Sequence, residues 1–171
     1  MVKTVGVAGL GLIGGSMAKA IRKYTDCTLL GYNRNSATLS RALDEGVIDG
    51  VLTEERLAEC ELVIIALYPE ATVEYVTKHR DHFRKGGIVM DCGGVKGVVC
   101  GPLESVVKDA GFWFIGGHPT EVPGRHLGVR PEAGLRPPPA LHAGGARPHH
   151  RVHLPAGPGG ELRLCGQPVG P

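Results

Sequence analysis

The residues best suited to chemistry in this chain are three glycines at fixed spacing, Gly9, Gly11 and Gly14, in the run Gly9-Leu10-Gly11-Leu12-Ile13-Gly14. Glycine at the first position permits a tight turn, at the second lets a ligand approach the backbone, and at the third lets a helix pack on a strand. A helix N-terminus following such a turn offers backbone N–H groups, Leu12 and Ile13 among them, and partial positive charge to a phosphate. The motif is informative only between a strand and a helix. Val5-Gly6-Val7-Ala8 supplies the strand, and Ile13, Met17, Ala20, Ile21 and Tyr24 supply a helical apolar face. Gly9, Gly11, Leu12, Ile13 and Gly14 are therefore expected to hold the pyrophosphate of a dinucleotide.

About 20 residues on, a carboxylate at the end of a second strand would bind the adenosine ribose of NAD. Here Asn33 and Arg34 stand instead. An amide does not repel a 2′-phosphate and a guanidinium pairs with one, which favours NADP over NAD. Asn33 can also bond the NAD ribose, with Arg34 a solvated charge.

The elements that must carry these residues alternate. Strands are expected at Thr28 to Tyr32, Leu62 to Ala66, Ile88 to Asp91 and Phe112 to Ile115. Helices are expected at Ser36 to Glu45, with Ser36 as N-cap and Gly46 as stop, and at Ala71 to Arg80. A further apolar stripe comprises Val99, Leu103, Val106, Val107 and Ala110, with Pro102 tolerable only near its first turn. Continuous apolar strands between amphipathic helices imply an α/β fold, a Rossmann-type doubly wound parallel sheet, over residues 1–118.

Ligands of such sheets bind beyond the carboxyl ends of the strands. That rule singles out Ala66-Leu67-Tyr68-Pro69, Asp91-Cys92-Gly93-Gly94-Val95-Lys96 and Gly116-Gly117-His118-Pro119. Leu67, Pro69 and Gly93 are assigned to cofactor contact. His118 is the acid/base candidate, since imidazole titrates near neutrality. Lys96 is read as capping the sheet surface, with countering a carboxylate the alternative, and His79 and His82, set among charges, are read as solvent-exposed.

Composition excludes other classes. The 171 residues are 42% apolar and 21% charged with a net charge of +2, which gives no pull toward nucleic acid or anionic membrane. No apolar run approaches the roughly 20 residues of a membrane helix, and a cytoplasmic location is expected. Five cysteines without CxxC spacing argue against a zinc site or a disulfide framework and read as reduced thiols; no metal is expected.

Residues 119–171 are a different text. They hold eleven of the thirteen prolines, and after Thr120 no Lys, Asp, Asn, Ser, Thr, Ile, Met, Phe, Tyr or Trp occurs. Such a segment buries too little apolar surface to offset ordering costs of about 1 to 2 kcal/mol per residue. Disorder is expected for this low-complexity tail. Its composition matches GC-rich DNA translated out of frame, so a frame disruption after Pro119 and a natural linker are both consistent with it.

Together, Gly9-Leu10-Gly11-Leu12-Ile13-Gly14-Gly15-Ser16, Asp91-Cys92-Gly93-Gly94-Val95-Lys96 and Phe114-Ile115-Gly116-Gly117-His118-Pro119 resemble the prephenate dehydrogenase family in order and spacing. The resemblance covers Val2 to Pro119. It implies oxidative decarboxylation of prephenate to 4-hydroxyphenylpyruvate with NAD(P) in the biosynthesis of tyrosine, an aromatic amino acid, and gives His118 the role of accepting the substrate hydroxyl proton. Two departures stand out. Gly94 replaces the serine often found in the family's Gly-Ser-Val-Lys motif, and nothing after Thr120 resembles the helical second domain that supplies dimer contacts and carboxylate-binding groups. The resemblance therefore implies impaired turnover and lost homodimer contacts. An NADP(H)-binding fragment without activity, or another Rossmann dehydrogenase, are the competing readings.

Overall fold

In a computed structural model, residues 2–118, 129–130 and 161–164 are described. The chain runs β1 (Thr4–Ala8), α1 (Leu12–Tyr24), β2 (Thr28–Tyr32), α2 (Ser36–Asp44), β3 (Gly50–Val51), a 3-10 turn (Glu55–Glu59), β4 (Leu62–Ile65), α3 (Pro69–Lys78), β5 (Ile88–Asp91), α4 (Lys96–Val107) and β6 (Trp113–His118). Strand order is β3-β2-β1-β4-β5-β6, all parallel. The order reverses between β1 and β4, and this switch point opens a crevice at the carboxyl edge.

Each strand feeds two cores because successive side chains face opposite ways. Val5, Val7, Leu62 and Ile64 pack with Ala18, Met17 and Ile21 of α1 and Leu39 of α2 on one face. Ala8, Val63, Ile65 and Val89 pack with Val76 of α3 and Val99, Leu103 and Val107 of α4 on the other. Burial on both faces explains why the strands read as unbroken apolar runs.

Several elements differ from expectation. The buried side of α1 centres on Gly14 and Ala18, while Ile13 and Tyr24 are exposed, because small residues let the helix lie close to the sheet. Asn35, not Ser36, caps α2, its Oδ1 accepting from the Thr38 N–H at 3.2 Å. Gly46 follows that helix with φ +66°, as a C-terminal stop requires. Pro69 opens α3 at the first helical position, where its missing N–H costs nothing, two residues before the expected start at Ala71. Pro102 lies inside α4, well past the first turn. It stands on the exposed side, where water can serve the carbonyl that the missing N–H would have bonded.

β6 is longer than its aromatic core suggests and carries Gly116 and Gly117 as buried strand residues rather than loop. Ladders on both sides hold it: β5 parallel, and β8 (Glu161–Leu164) antiparallel, with β7 (Val129–Arg130) beyond β8. No period in the sequence marks these two short strands. The rest of the low-complexity tail lies outside the described residues. Cys27, Cys60 and Cys92 are free thiols, and Cys165 lies outside the described residues. No helix among the described residues is long and apolar enough to cross a membrane.

Candidate nucleotide site

At the carboxyl edge, parallel register aligns Tyr32, Ala8, Ile65, Asp91 and Gly116 across five strands. With strands about 4.8 Å apart, Ala8 and Gly116 lie roughly 14 Å from one another. Most of the expected site residues stand along this line.

The glycine loop leaves β1 at Gly9, whose φ of +96° few side chains tolerate. Its N–H donates to the Tyr32 carbonyl at 2.8 Å, tying the turn to the end of β2. A Cβ on Gly9 would press into the Ala66 carbonyl and within 2.9 Å of Leu67 Cδ2. A Cβ on Gly14 would overlap the Gly9 carbonyl oxygen and reach Ala66 Cβ at 3.0 Å. Both glycines are thus fixed by packing. Gly11 is not: a Cβ there would meet nothing within 4 Å. The space before Gly11 is open, so packing alone does not require glycine there.

Gly11 is also the N-cap of α1 and provides no side-chain cap, so the N–H groups of the first turn point at the same space. Leu12, 92% exposed, and Ile13 stand beside it. A cleft of about 410 Å³ opens there between α1 and α2, bordered by Gly11, Leu12, Ser16, Lys19, Thr38 and Arg41. A backbone cradle that a Cβ would partly fill, with open donors, fits a pyrophosphate, while Lys19 and Arg41 both pair with Glu45 on the same cleft, at 3.4 and 3.7 Å.

Asn33 is half-buried at the end of β2, and Arg34 beside it is exposed and pairs with no carboxylate among the described residues. Across the switch point, Leu67 and Pro69 are half-buried and flank Tyr68, which is 79% exposed. Gly93, half-buried, donates its N–H to Asp91 Oδ1 at 2.8 Å. His118 ends β6 on this edge and Lys96 opens α4; their side chains lie outside what is described.

Two features went unseen in the sequence. Asp91 is fully buried, a carboxylate placed at the very edge where ligands bind. His79, expected in solvent, is buried against Tyr75 at a ring separation of 4.5 Å, with Nδ1 3.0 Å from Glu54 Oε2. Burial lowers its pKa, with Lys78 and His82 adding to the effect and Glu54 opposing it. His82, more exposed, reaches the other oxygen of Glu54 at 3.2 Å. Neither touches the glycine loop. Burial pushes the Cys60 thiol up to about 12, which removes it as a nucleophile.

The family model described as "Prephenate dehydrogenase, nucleotide-binding domain" matches residues 17–129. The chain belongs to the prephenate dehydrogenase family. That family is one of oxidoreductases, and this chain carries its nucleotide-binding domain on a Rossmann-type sheet. Prephenate dehydrogenase of Bacillus subtilis (strain 168) is 32% identical over 127 residues, covering 70% of this chain and 33% of the relative. That of Lactococcus lactis subsp. cremoris is 29% identical over 121 residues, covering 69% and 34%. Among solved structures, prephenate dehydrogenase from A. aeolicus in complex with hydroxyphenyl propionate and NAD+ superposes with a TM-score of 0.63 at 27% identity, over 73% of this chain and 44% of that one. Synechocystis arogenate dehydrogenase gives 0.62 at 26% identity, over 71% and 42%. The chain spans about a third of the length of the curated relatives it matches.

Proposed function

We propose that this chain holds a nicotinamide dinucleotide on its glycine loop, NADP(H) in preference to NAD(H), as the nucleotide-binding part of a cytoplasmic oxidoreductase acting on prephenate. The observation that carries this reading is the contrast within the loop: Gly9 and Gly14 are demanded by the protein's own packing, Gly11 by open space alone. Leu12 and Ile13 present first-turn N–H groups to the pyrophosphate, and Asn33 and Arg34 receive the adenosine ribose and its 2′-phosphate. Leu67, Pro69 and Gly93 border the nicotinamide half.

When bound, the nicotinamide supplies a hydride acceptor. His118 at the end of β6 accepts the proton of the substrate hydroxyl as that carbon loses hydride; the ring carboxylate then leaves as carbon dioxide, giving 4-hydroxyphenylpyruvate. The resemblance to the family supports this role for His118, and its place on the carboxyl edge agrees with it. In our reading binding survives while turnover is impaired and the family's homodimer contacts are lost, because the residues from Thr120 onward do not resemble the helical second domain that supplies them.

Fluorescence titration with NADPH and NADH beside a steady-state assay of prephenate oxidation tests this. Saturable binding, tighter for NADPH, with turnover far below the ordinary range of about 1 to 1,000 per second is expected. Absence of binding would remove the proposal, and turnover inside that range would remove the claim of impairment.

A further inference from the structure

Asp91 is the one fully buried carboxylate among the described residues, and it lies at the ligand-binding edge rather than in the body of the sheet. A charged group loses hydration when buried and persists only with hydrogen-bond partners. One partner defines local geometry: the Gly93 N–H donates to Oδ1 at 2.8 Å. The ladder continues through Cys92, whose N–H bonds the Ile65 carbonyl at 2.9 Å, and the chain then turns away at Gly93. Gly94 and Val95 emerge exposed on the rim, Val95 at 56%. A Cβ at position 93 would sit 3.1 Å from the same Asp91 oxygen, tighter than an ordinary van der Waals contact.

The register decides which half of a ligand this turn serves. Asn33 and Arg34 follow β2, on one side of the glycine loop, whereas Asp91 lies two strands away on the other, in register with Ile65 and Gly116. A dinucleotide whose pyrophosphate sits at Gly11 and whose adenosine runs toward β2 must extend its nicotinamide over β4 and β5.

We propose that Asp91 is a positioning residue for the nicotinamide half of the bound dinucleotide: by accepting the Gly93 N–H it fixes the 92–94 turn as the floor beneath that half. The inference rests on the nucleotide-binding reading above. It requires the acceptor oxygen rather than the negative charge, so an amide at 91 serves and a methyl does not.

The test compares ADP, which lacks the nicotinamide half, with NADPH on the full chain. Wild type comes first: failure to bind either ligand would overturn the nucleotide reading itself. In Asp91→Ala, NADPH affinity should fall about tenfold with ADP affinity held within about twofold, as expected for one lost hydrogen bond to a charged group. Asp91→Asn, which keeps the acceptor, should restore NADPH binding to within about threefold of wild type. Equal losses for both ligands, no loss for either, or an asparagine as damaging as alanine would overturn the proposal. If Asp91→Ala does not fold, Gly93→Ala decides: its Cβ presses on the same oxygen, and only a selective loss of NADPH over ADP supports the assignment.

Discussion

The two sides of the switch point are built differently. Toward β2 the edge is polar and self-contained. The Gly9 N–H is tied to Tyr32, α2 is capped by the side chain of Asn35, and a half-buried Asn33 is followed by an exposed Arg34. Toward β4 and β5 the rim is apolar, with Tyr68, Val95 and Val98 exposed above a buried carboxylate, and neither α3 nor α4 has a side-chain cap. The difference teaches what each side would offer the proposed dinucleotide. On that proposal the adenosine half would meet Asn33 and Arg34, and the nicotinamide half a turn held from beneath and a rim of apolar side chains.

The largest blow to this comparison would come at the hinge common to both sides. Gly14→Ala puts a Cβ into the Gly9 carbonyl oxygen, backbone that cannot swing away. It should cost about 3 kcal/mol or more of stability, read as a lowered midpoint in urea, and abolish binding of ADP and dinucleotide together. A variant of wild-type stability would show the loop to be looser than described. A smaller and one-sided effect is expected from Arg34→Ala. Loss of a charge-assisted bond to the 2′-phosphate should weaken NADPH about tenfold or more and leave NADH within about twofold, shrinking the preference between them. Equal weakening of both cofactors would relegate Arg34 to general surface charge.

The smallest effect lies away from the edge. Burial disfavours the charged form of His79, so its folded-state pKa is below its unfolded value of about 6.5. The unfolded chain then binds more protons in acid. The stability that the neutral imidazole contributes is full above about pH 6.5 and lost as the pH falls through and below that value. Urea midpoints between pH 8 and 5 should decline more steeply in wild type than in His79→Gln; parallel curves would mean that His79 is not the group being charged.

Much of this was readable from residues alone because the signals were strong and local. Val5 to Ala8, Thr28 to Tyr32 and Ile88 to Asp91 are strands of the doubly wound sheet at their expected places, and the glycine spacing survives as a turn at Gly9 and helix–strand packing at Gly14. Weak or non-local features escaped. β3 is two residues long and carries no period, and Gly116 to His118 read as loop because strand identity there comes from neighbouring ladders. His79 seemed solvated by its charged neighbours in sequence, yet Tyr75 and Glu54 cover it in space. Asp91 looked like the polar end of a strand, and only the register places its buried carboxylate beside the crevice.

Gly11→Ala separates ligand from fold most directly. Its Cβ meets no protein atom, so the urea midpoint should move by no more than corresponds to about 0.5 to 1 kcal/mol. NADPH titration, saturable in wild type, should weaken at least about tenfold because the same Cβ stands where a pyrophosphate must approach. Unchanged NADPH affinity in a stably folded Gly11→Ala, or no NADPH binding by the wild-type chain, would contradict a dinucleotide held on this loop.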